Sequence, residues 1–110
     1  MAKARTYSRY ALEAVLLLGK QIKLARKQRK WSEHELADRA GIARATLQKI
    51  EKGDAGCAIG LVFEVAALVG LKLFEADETT LMERHAHTDD RLALLPKAIH
   101  KSKRAIVDDF

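Results

Sequence analysis

The sequence predicts a small all-α domain that ends in one short strand. Its 110 residues suffice for a single core and a tail. Apolar residues make up 48% of the chain and aromatic residues only 5%, so we expect a core built from aliphatic side chains. Those side chains recur at steps of three and four over most of the chain, as on one face of a helix. The single proline, Pro96, also suits a helical protein.

The composition excludes several classes of protein. A single cysteine, Cys57, rules out an internal disulfide and a cysteine-rich metal site. A chain without disulfides is compatible with the reducing cytoplasm. The apolar run at residues 14–19 is too short to cross a bilayer, and no small-residue cleavage site follows it. His85 and His87, two residues apart, have poor metal-ligand geometry on a helix. We therefore expect a cytoplasmic protein that is not an enzyme and has no metal or cofactor.

Basic charge is concentrated at the start of the chain. The formal net charge is +5, but residues 1–31 carry nine Lys and Arg residues and one acid, a net +8. Residues 32–78 carry a net −4 and residues 79–110 a net +1. A small protein polarised in this way suits a polyanion such as nucleic acid, although a solvated basic helix face gives the same pattern.

Two helices account for the first forty residues. Apolar residues at helical spacing, with bases between them, predict one long helix from Ser8 to about Arg29. Ser32 begins a shorter helix, because its hydroxyl can accept an unpaired backbone N–H and Glu35 stands at the third position of a capping box. Gly41 ends that helix, since glycine takes the left-handed conformation without strain.

Two further helices and a change of period follow. The third helix begins at Ala43 or Arg44, and an apolar fourth helix runs from Ile59 to Leu68. Residues 71–77 then alternate, which predicts a strand, although an irregular extension fits as well. A lone strand cannot satisfy its backbone, so we expect it to pair with a symmetry mate in a two-fold homodimer.

The sequence thus divides into a flexible N-terminus (residues 1–7), a helical domain that ends in the strand (residues 8–77) and a tail (residues 78–110). The tail begins with a segment that predicts one weak helix, and beyond Pro96 we expect disorder until a partner binds. Phe110 is the candidate anchor for a protein partner, because aromatic side chains dominate binding hot spots, although an inert solubilising tail is equally compatible.

Two short helices joined through Gly41, with the small residues Ala37 and Ala40 where they cross, form a helix-turn-helix pattern. In this motif the first helix braces against the DNA backbone, and the second places its N-terminal residues in the major groove. The pattern therefore predicts binding to double-stranded DNA.

Residues 18–54 resemble the Cro/C1-type helix-turn-helix family, which has a lambda-repressor-like fold. The matching positions are Glu35-Leu36-Ala37, Gly41-Ile42, Thr46-Leu47 and Ile50-Glu51-Lys52-Gly53. The chain departs from the family at Ala43, where a serine is usual, and lacks its proline near Cys57 and Ala58. The resemblance implies that Glu51 pairs with Arg26, and so has a structural rather than a catalytic role.

Within that family the chain is most similar to HipB-type antitoxins. The similar features are Trp31, "IARATLQ" at residues 42–48, "LKLFEAD" at residues 71–77 and the ending of the chain. The resemblance implies a homodimer joined by an intersubunit strand pair, repression of its own operon and binding of a HipA-type Ser/Thr kinase toxin. A stand-alone Cro/C1-type regulator with no toxin partner is the alternative.

Seven residues are candidates for contact with operator DNA. Arg44 is the first choice for base recognition, because a bidentate arginine–guanine contact is the commonest specific one, although Arg44 could touch phosphate alone. The family resemblance implies that Arg44, Ala45 and Lys49 face the groove, so Lys49 would read bases or phosphate, and Ala45 could touch a thymine methyl or be filler. The remaining candidates are expected near the DNA backbone, although Thr46 and Gln48 could be merely solvated: Ser32, Thr46, Gln48 and Lys52. Glu33, beside Ser32, is expected to repel phosphate.

Overall fold

The computed structural model describes residues 5–99, which divide into two compact units, residues 5–75 and 76–99. Over these residues the chain has five α-helices and one 3₁₀ turn. The helices are α1 (Arg9–Gln28), α2 (Glu33–Ala40), α3 (Arg44–Glu51), α4 (Ile59–Leu68) and α5 (Glu78–Ala93), and the 3₁₀ turn is Leu73–Glu75. The predicted all-α class is therefore confirmed. Across the described residues, no helix is long and apolar enough to cross a membrane.

The short helices begin and end at the residues that local chemistry predicts. Ser32 Oγ accepts the N–H of Glu35 at 3.0 Å, which caps the start of α2. Gly41 has φ +69° and ends the helix, and the N–H of Ile42 turns back to the carbonyl of Ala37 at 3.0 Å. Ala43 precedes α3 and makes no side-chain cap hydrogen bond, as its methyl group dictates. The α2–turn–α3 unit is thus tightly defined by its backbone.

Eight buried side chains form the core of the first unit. Seven come from the four helices of the unit and the eighth, Val69, directly follows α4: Ile22, Leu36, Ala37, Leu47, Ile50, Val65, Ala66 and Val69. Leu36 and Leu47 are completely buried, and such burial contributes about 1.5–3 kcal/mol for each side chain. This core fixes the angle between α2 and α3 and hence the direction in which α3 projects.

Gly19 allows α1 and α3 to cross closely. A methyl group at this position would lie 2.6 Å from the carbonyl oxygen of Ile50 and 2.9 Å from that of Glu51. Those distances are shorter than any ordinary carbon–oxygen contact, so the two backbones meet where only a hydrogen atom fits. Nothing in the local sequence pattern indicates this requirement.

The strand predicted at residues 71–77 is wrong. Leu73–Glu75 is a 3₁₀ turn in which Phe74 and Glu75 have φ of +57° and +52°, and the described residues contain no strand. A strand needs a neighbouring backbone edge, and the helices of this unit offer none. Leu71 and Leu73 instead pack against the helical core. The predicted pairing of two such strands across a homodimer therefore has no support.

The weak helix predicted at residues 80–95 overlaps α5. Asp77 Oδ1 accepts the N–H of Thr80 at 2.8 Å and caps its start. Within the described chain, no residue of α5 is buried. The segment predicted to be disordered follows α5. Its residues 100–110, which include the candidate anchor Phe110, lie outside the described residues.

Candidate nucleic-acid interface

One face of α3 is exposed along the first turn and a half of the helix. Leu47 and Ile50 are buried, whereas Arg44, Ala45 and Lys49 are exposed, and the Arg44 side chain keeps 64% of its surface. The three residues predicted to contact bases are therefore all exposed, with Arg44 and Lys49 about 140° apart around the helix. Their contact with DNA stays a prediction.

The candidates for backbone contact surround this face. Ser32 and Lys52 are exposed, and Thr46 and Gln48 are half-buried. Ser32 Oγ already accepts a hydrogen bond from Glu35, so its own hydroxyl proton is what it can still donate to a phosphate. The start of α2 adjoins α3, because Glu33 contacts both Arg44 and Gln48.

Glu33 joins the two helix starts, a role that the sequence did not reveal. Its Oε1 accepts a hydrogen bond from Arg44 Nε at 3.0 Å and another from Gln48 Nε2 at 3.1 Å. The hydrogen bonds from Gln48 and Arg44 stabilise the carboxylate and lower the pKa of Glu33. Two of the candidate DNA-binding side chains are therefore held by one acid, and the positive charge of Arg44 offsets the Glu33 charge that would repel phosphate.

Arg26 and Glu51 form a buried ion pair between α1 and the end of α3. Two hydrogen bonds join them, Nε to Oε2 at 2.7 Å and Nη2 to Oε1 at 3.0 Å, and Arg26 Nη1 also donates to the Trp31 carbonyl at 2.9 Å. The hydrogen bond to Glu51 is the main cause that raises the pKa of Arg26. The pair implied by the family resemblance is thus confirmed, and its burial gives Glu51 a structural role.

The basic residues beside the helix-turn-helix fall into two groups. Arg29 and Arg39 stack on Trp31, with guanidinium carbons 5.3 and 4.2 Å from the ring centre, and Arg29 Nε donates to the carbonyl of Val69 at 3.0 Å. These arginines therefore serve the fold. The lysines of α1 are exposed and remain available for long-range attraction of a polyanion.

Lys23 is a candidate that the sequence analysis missed. It lines a cleft of about 150 Å³ together with Gln48 and Lys52 of the predicted set, and with Glu33 and Glu51. The cleft opens beside the exposed face of α3, between that helix and α1. In the sequence, Lys23 is one of several bases in a basic helix. Its position next to α3 depends on how the helices cross, so the sequence pattern did not distinguish it.

Cys57 and the histidines His34, His85 and His87 lie within the described residues. Burial is the main cause that raises the pKa of the Cys57 thiol, which keeps it protonated at neutral pH. Among the residues that the structure describes, no group of three His, Cys, Asp or Glu side chains is arranged to hold a metal ion.

Comparison with protein families places this surface within a known type of domain. Residues 22–75, just under half of the chain, match the family model described as Helix-turn-helix, which covers the Cro/C1-type domains. A search of curated proteins gives no match. The matched segment begins in α1 and includes α2, α3 and α4. Residues 22–75 are therefore a helix-turn-helix domain, and the match supports a DNA-binding transcription regulator.

Proposed function

We propose that the protein is a transcriptional repressor that binds operator DNA through the exposed face of α3. The observation that carries the proposal is the joint exposure of Arg44, Ala45 and Lys49 on a helix whose Leu47 and Ile50 side chains are in the core. A helix presented in this way fits the width of the major groove. Contacts from Ser32, Thr46, Gln48 and Lys52 to phosphates set the register of that helix.

Glu33 prepares Arg44 for base recognition in this proposal. The hydrogen bond to Glu33 uses Arg44 Nε, so the two terminal nitrogens of the guanidinium remain free to donate side by side to O6 and N7 of a guanine. Gln48 donates one N–H of Nε2 to the same carboxylate and keeps the second N–H for a phosphate. Glu33 is therefore a positioning residue, whereas Arg44 contacts the base.

The repressor is proposed to act as a homodimer on an inverted repeat. Two α3 helices would then enter successive major grooves about 34 Å apart. A recognition helix of eight residues makes only a weak contact with one half-site. Binding to both half-sites at once therefore raises the affinity of the dimer. The proposal also locates the protein at the nucleoid, as a regulator and not an enzyme.

Duplex DNA from directly upstream of the gene provides the test. Binding is measured at several salt concentrations, beside a scrambled duplex of the same length and composition. We expect the upstream duplex to bind about a thousandfold more tightly than the scrambled one, and both affinities to fall steeply with salt. Equal affinities would contradict sequence-specific repression and leave only a non-specific basic surface.

A finer proposal is that the repressor is also the antitoxin of a HipA-type kinase toxin. It is supported by the resemblance to HipB-type antitoxins at Trp31, residues 42–48 and residues 71–77. The proposed anchor for the kinase is Phe110. Co-expression with the product of the neighbouring gene tests the proposal: a kinase that co-purifies with the full chain, and less well with a Phe110→Ala variant, supports the antitoxin. A neighbour that is not a kinase favours the alternative, a stand-alone regulator.

A further inference from the structure

One side of α1 carries an apolar surface that the core does not use. A shallow groove of about 520 Å³ is lined by residues of this helix alone: Tyr10, Glu13, Ala14, Leu16, Leu17 and Lys20. We call these six residues the α1 patch. Tyr10 keeps 86% of its surface exposed and Leu17 keeps 56%. An exposed apolar surface of this kind in a charged helix commonly marks a protein–protein contact.

The spacing of the α1 patch is that of a helix–helix seam. Tyr10, Ala14 and Leu17 follow one another at steps of four and three, which aligns them on one side of the helix. Gly19, where α3 crosses, is two residues beyond Leu17 and so lies about 160° away around the helix. A partner helix on the α1 patch would therefore leave the exposed face of α3 uncovered.

The charges of the α1 patch select the partner. Glu13 is the only acid of α1, and Lys20 follows it by seven residues, about 10 Å along the same side of the helix. Neither side chain forms an ion pair within the part of the chain that the structure describes. An acid at one end and a base at the other make the surface complementary to itself after a two-fold rotation.

We propose that the α1 patch is the interface of an antiparallel two-fold homodimer. In it Ala14 and Leu17 of one copy meet Leu17 and Ala14 of the other. Glu13 of each copy then pairs with Lys20 of the second copy, which gives two ion pairs per dimer. A parallel arrangement would instead place Glu13 against Glu13, which antiparallel pairing avoids. The inference rests on the dimer of the proposed function, and names its surface without the pairing of strands.

Charge reversal tests the interface. The variants are Glu13→Lys, Lys20→Glu and the double variant, with Lys27→Glu as the control. Lys27 is exposed on the same helix, seven residues after Lys20, but has no acid opposite it in the antiparallel register. Sedimentation equilibrium of the full chain gives the dimer dissociation constant, and circular dichroism confirms that each variant is folded.

The expected pattern is a loss followed by a rescue. Each single reversal turns two attractions into two repulsions and should weaken the dimer by about tenfold or more. The double variant restores opposite charges and should return to within about threefold of the original protein, while the control remains unchanged. Three results would each overturn the proposal. They are single reversals that leave the dimer dissociation constant unchanged, a double variant whose dimer remains weak, and an original protein that is monomeric at about 100 μM, where a weak dimer would form.

Binding to DNA separates this inference from the proposed function. A duplex with one half-site should bind the Glu13→Lys variant as well as the original protein, because α3 is untouched. A duplex with the full inverted repeat should bind the variant more weakly and without cooperativity. If charge reversal dissociates the dimer but no upstream duplex is bound, the interface stands and the repressor proposal fails. If the duplex is bound and the dimer ignores the charges, the interface fails alone.

Discussion

Two Glu–Arg pairs connect the helices of the DNA-binding domain, and they differ chiefly in their exposure to water. Arg26 Nε lies 2.7 Å from Glu51 Oε2, and only 6% and 4% of the two side-chain surfaces are exposed. Arg44 Nε lies 3.0 Å from Glu33 Oε1, but the two side chains are 64% and 28% exposed. Both pairs link a residue of α3 to another helix or its cap. The chemistry is the same, and the surroundings are not.

The difference decides what each pair can do. Neither member of the buried pair can replace its partner by water, so Arg26 and Glu51 hold α1 to the end of α3 wherever the domain is folded. Arg44 can exchange or share its acceptor because solvent reaches it, so Glu33 keeps the side chain ordered and still available. An ion pair thus stabilises the fold at one end of α3 and prepares recognition at the other.

Removal of Glu51 should have the largest effect on stability. Glu51→Ala leaves the Arg26 guanidinium buried without its counterion, and we expect it to lower the free energy of unfolding by about 3–5 kcal/mol. Glu35→Ala is the matched control, because the Glu35–Arg39 pair is also a hydrogen-bonded ion pair, at 3.1 Å, but is about half exposed, and its loss should change stability by less than about 0.5 kcal/mol. Urea unfolding measures both. Equal losses would contradict the contrast drawn from burial.

The helix crossing beside the buried pair gives the next largest effect. Gly19→Ala places a methyl group 2.6 Å from the Ile50 carbonyl, so α1 and α3 must separate, and we expect a loss of about 1–3 kcal/mol. Gly60→Ala is the control, since a methyl group there meets nothing within 4 Å and alanine favours the helix by about 1 kcal/mol. Thermal unfolding should therefore shift in opposite directions. A neutral Gly19→Ala variant would show that the crossing is loose.

Replacement of Arg44 should affect recognition and spare the fold. We expect Arg44→Ala to weaken operator binding by about 1–3 kcal/mol, because a bidentate base contact is lost, and to leave unfolding almost unchanged. Arg44→Lys keeps the charge but not the fork of donors, so it should bind scrambled DNA normally and discriminate less. Arg91→Ala on α5, outside the matched segment, is the control for basic charge. A uniform loss on both duplexes would reduce Arg44 to a phosphate contact.

The same contrast explains which features the sequence could predict. Ser32 and Gly41 act on backbone groups within a few residues of themselves, so the limits of α2 follow from local chemistry. Residues 71–77 alternate like a strand, but alternation does not say whether an edge is available, and Phe74 and Glu75 turn instead at positive φ. A pattern along the chain predicts local structure well and predicts pairing poorly.

The missed parts of the candidate site have a common cause. Glu33 lies 11 residues from Arg44, and Gly19 is 31 residues from Ile50, so both contacts exist only because the helices cross at particular angles. Local charge made Glu33 look like a hindrance to phosphate binding. Its two hydrogen bonds became apparent only when the starts of α2 and α3 were seen side by side.

The acidity of Glu33 offers the finest test of the exposed pair. Because the pKa of Glu33 is lowered in the folded protein, the stability that its charge contributes is complete above the unfolded value of about 4.3. It is lost as the pH falls through the folded pKa, where the carboxyl is protonated. The difference in unfolding free energy between the original protein and Glu33→Gln should therefore be constant near neutrality and shrink below about pH 4.3.

Denaturant titrations of both proteins between about pH 3 and 7 measure that difference across the ionisation of a carboxyl group. Glu64→Gln on α4 is the control for the removal of one carboxylate, because Glu64 is exposed and forms no ion pair within residues 5–99. A difference that grows as the pH falls would mean that the Glu33 charge destabilises the fold. Its hydrogen bonds to Arg44 and Gln48 would then not outweigh the cost of holding the carboxylate beside α2 and α3, and the exposed pair would position Arg44 only at the expense of stability.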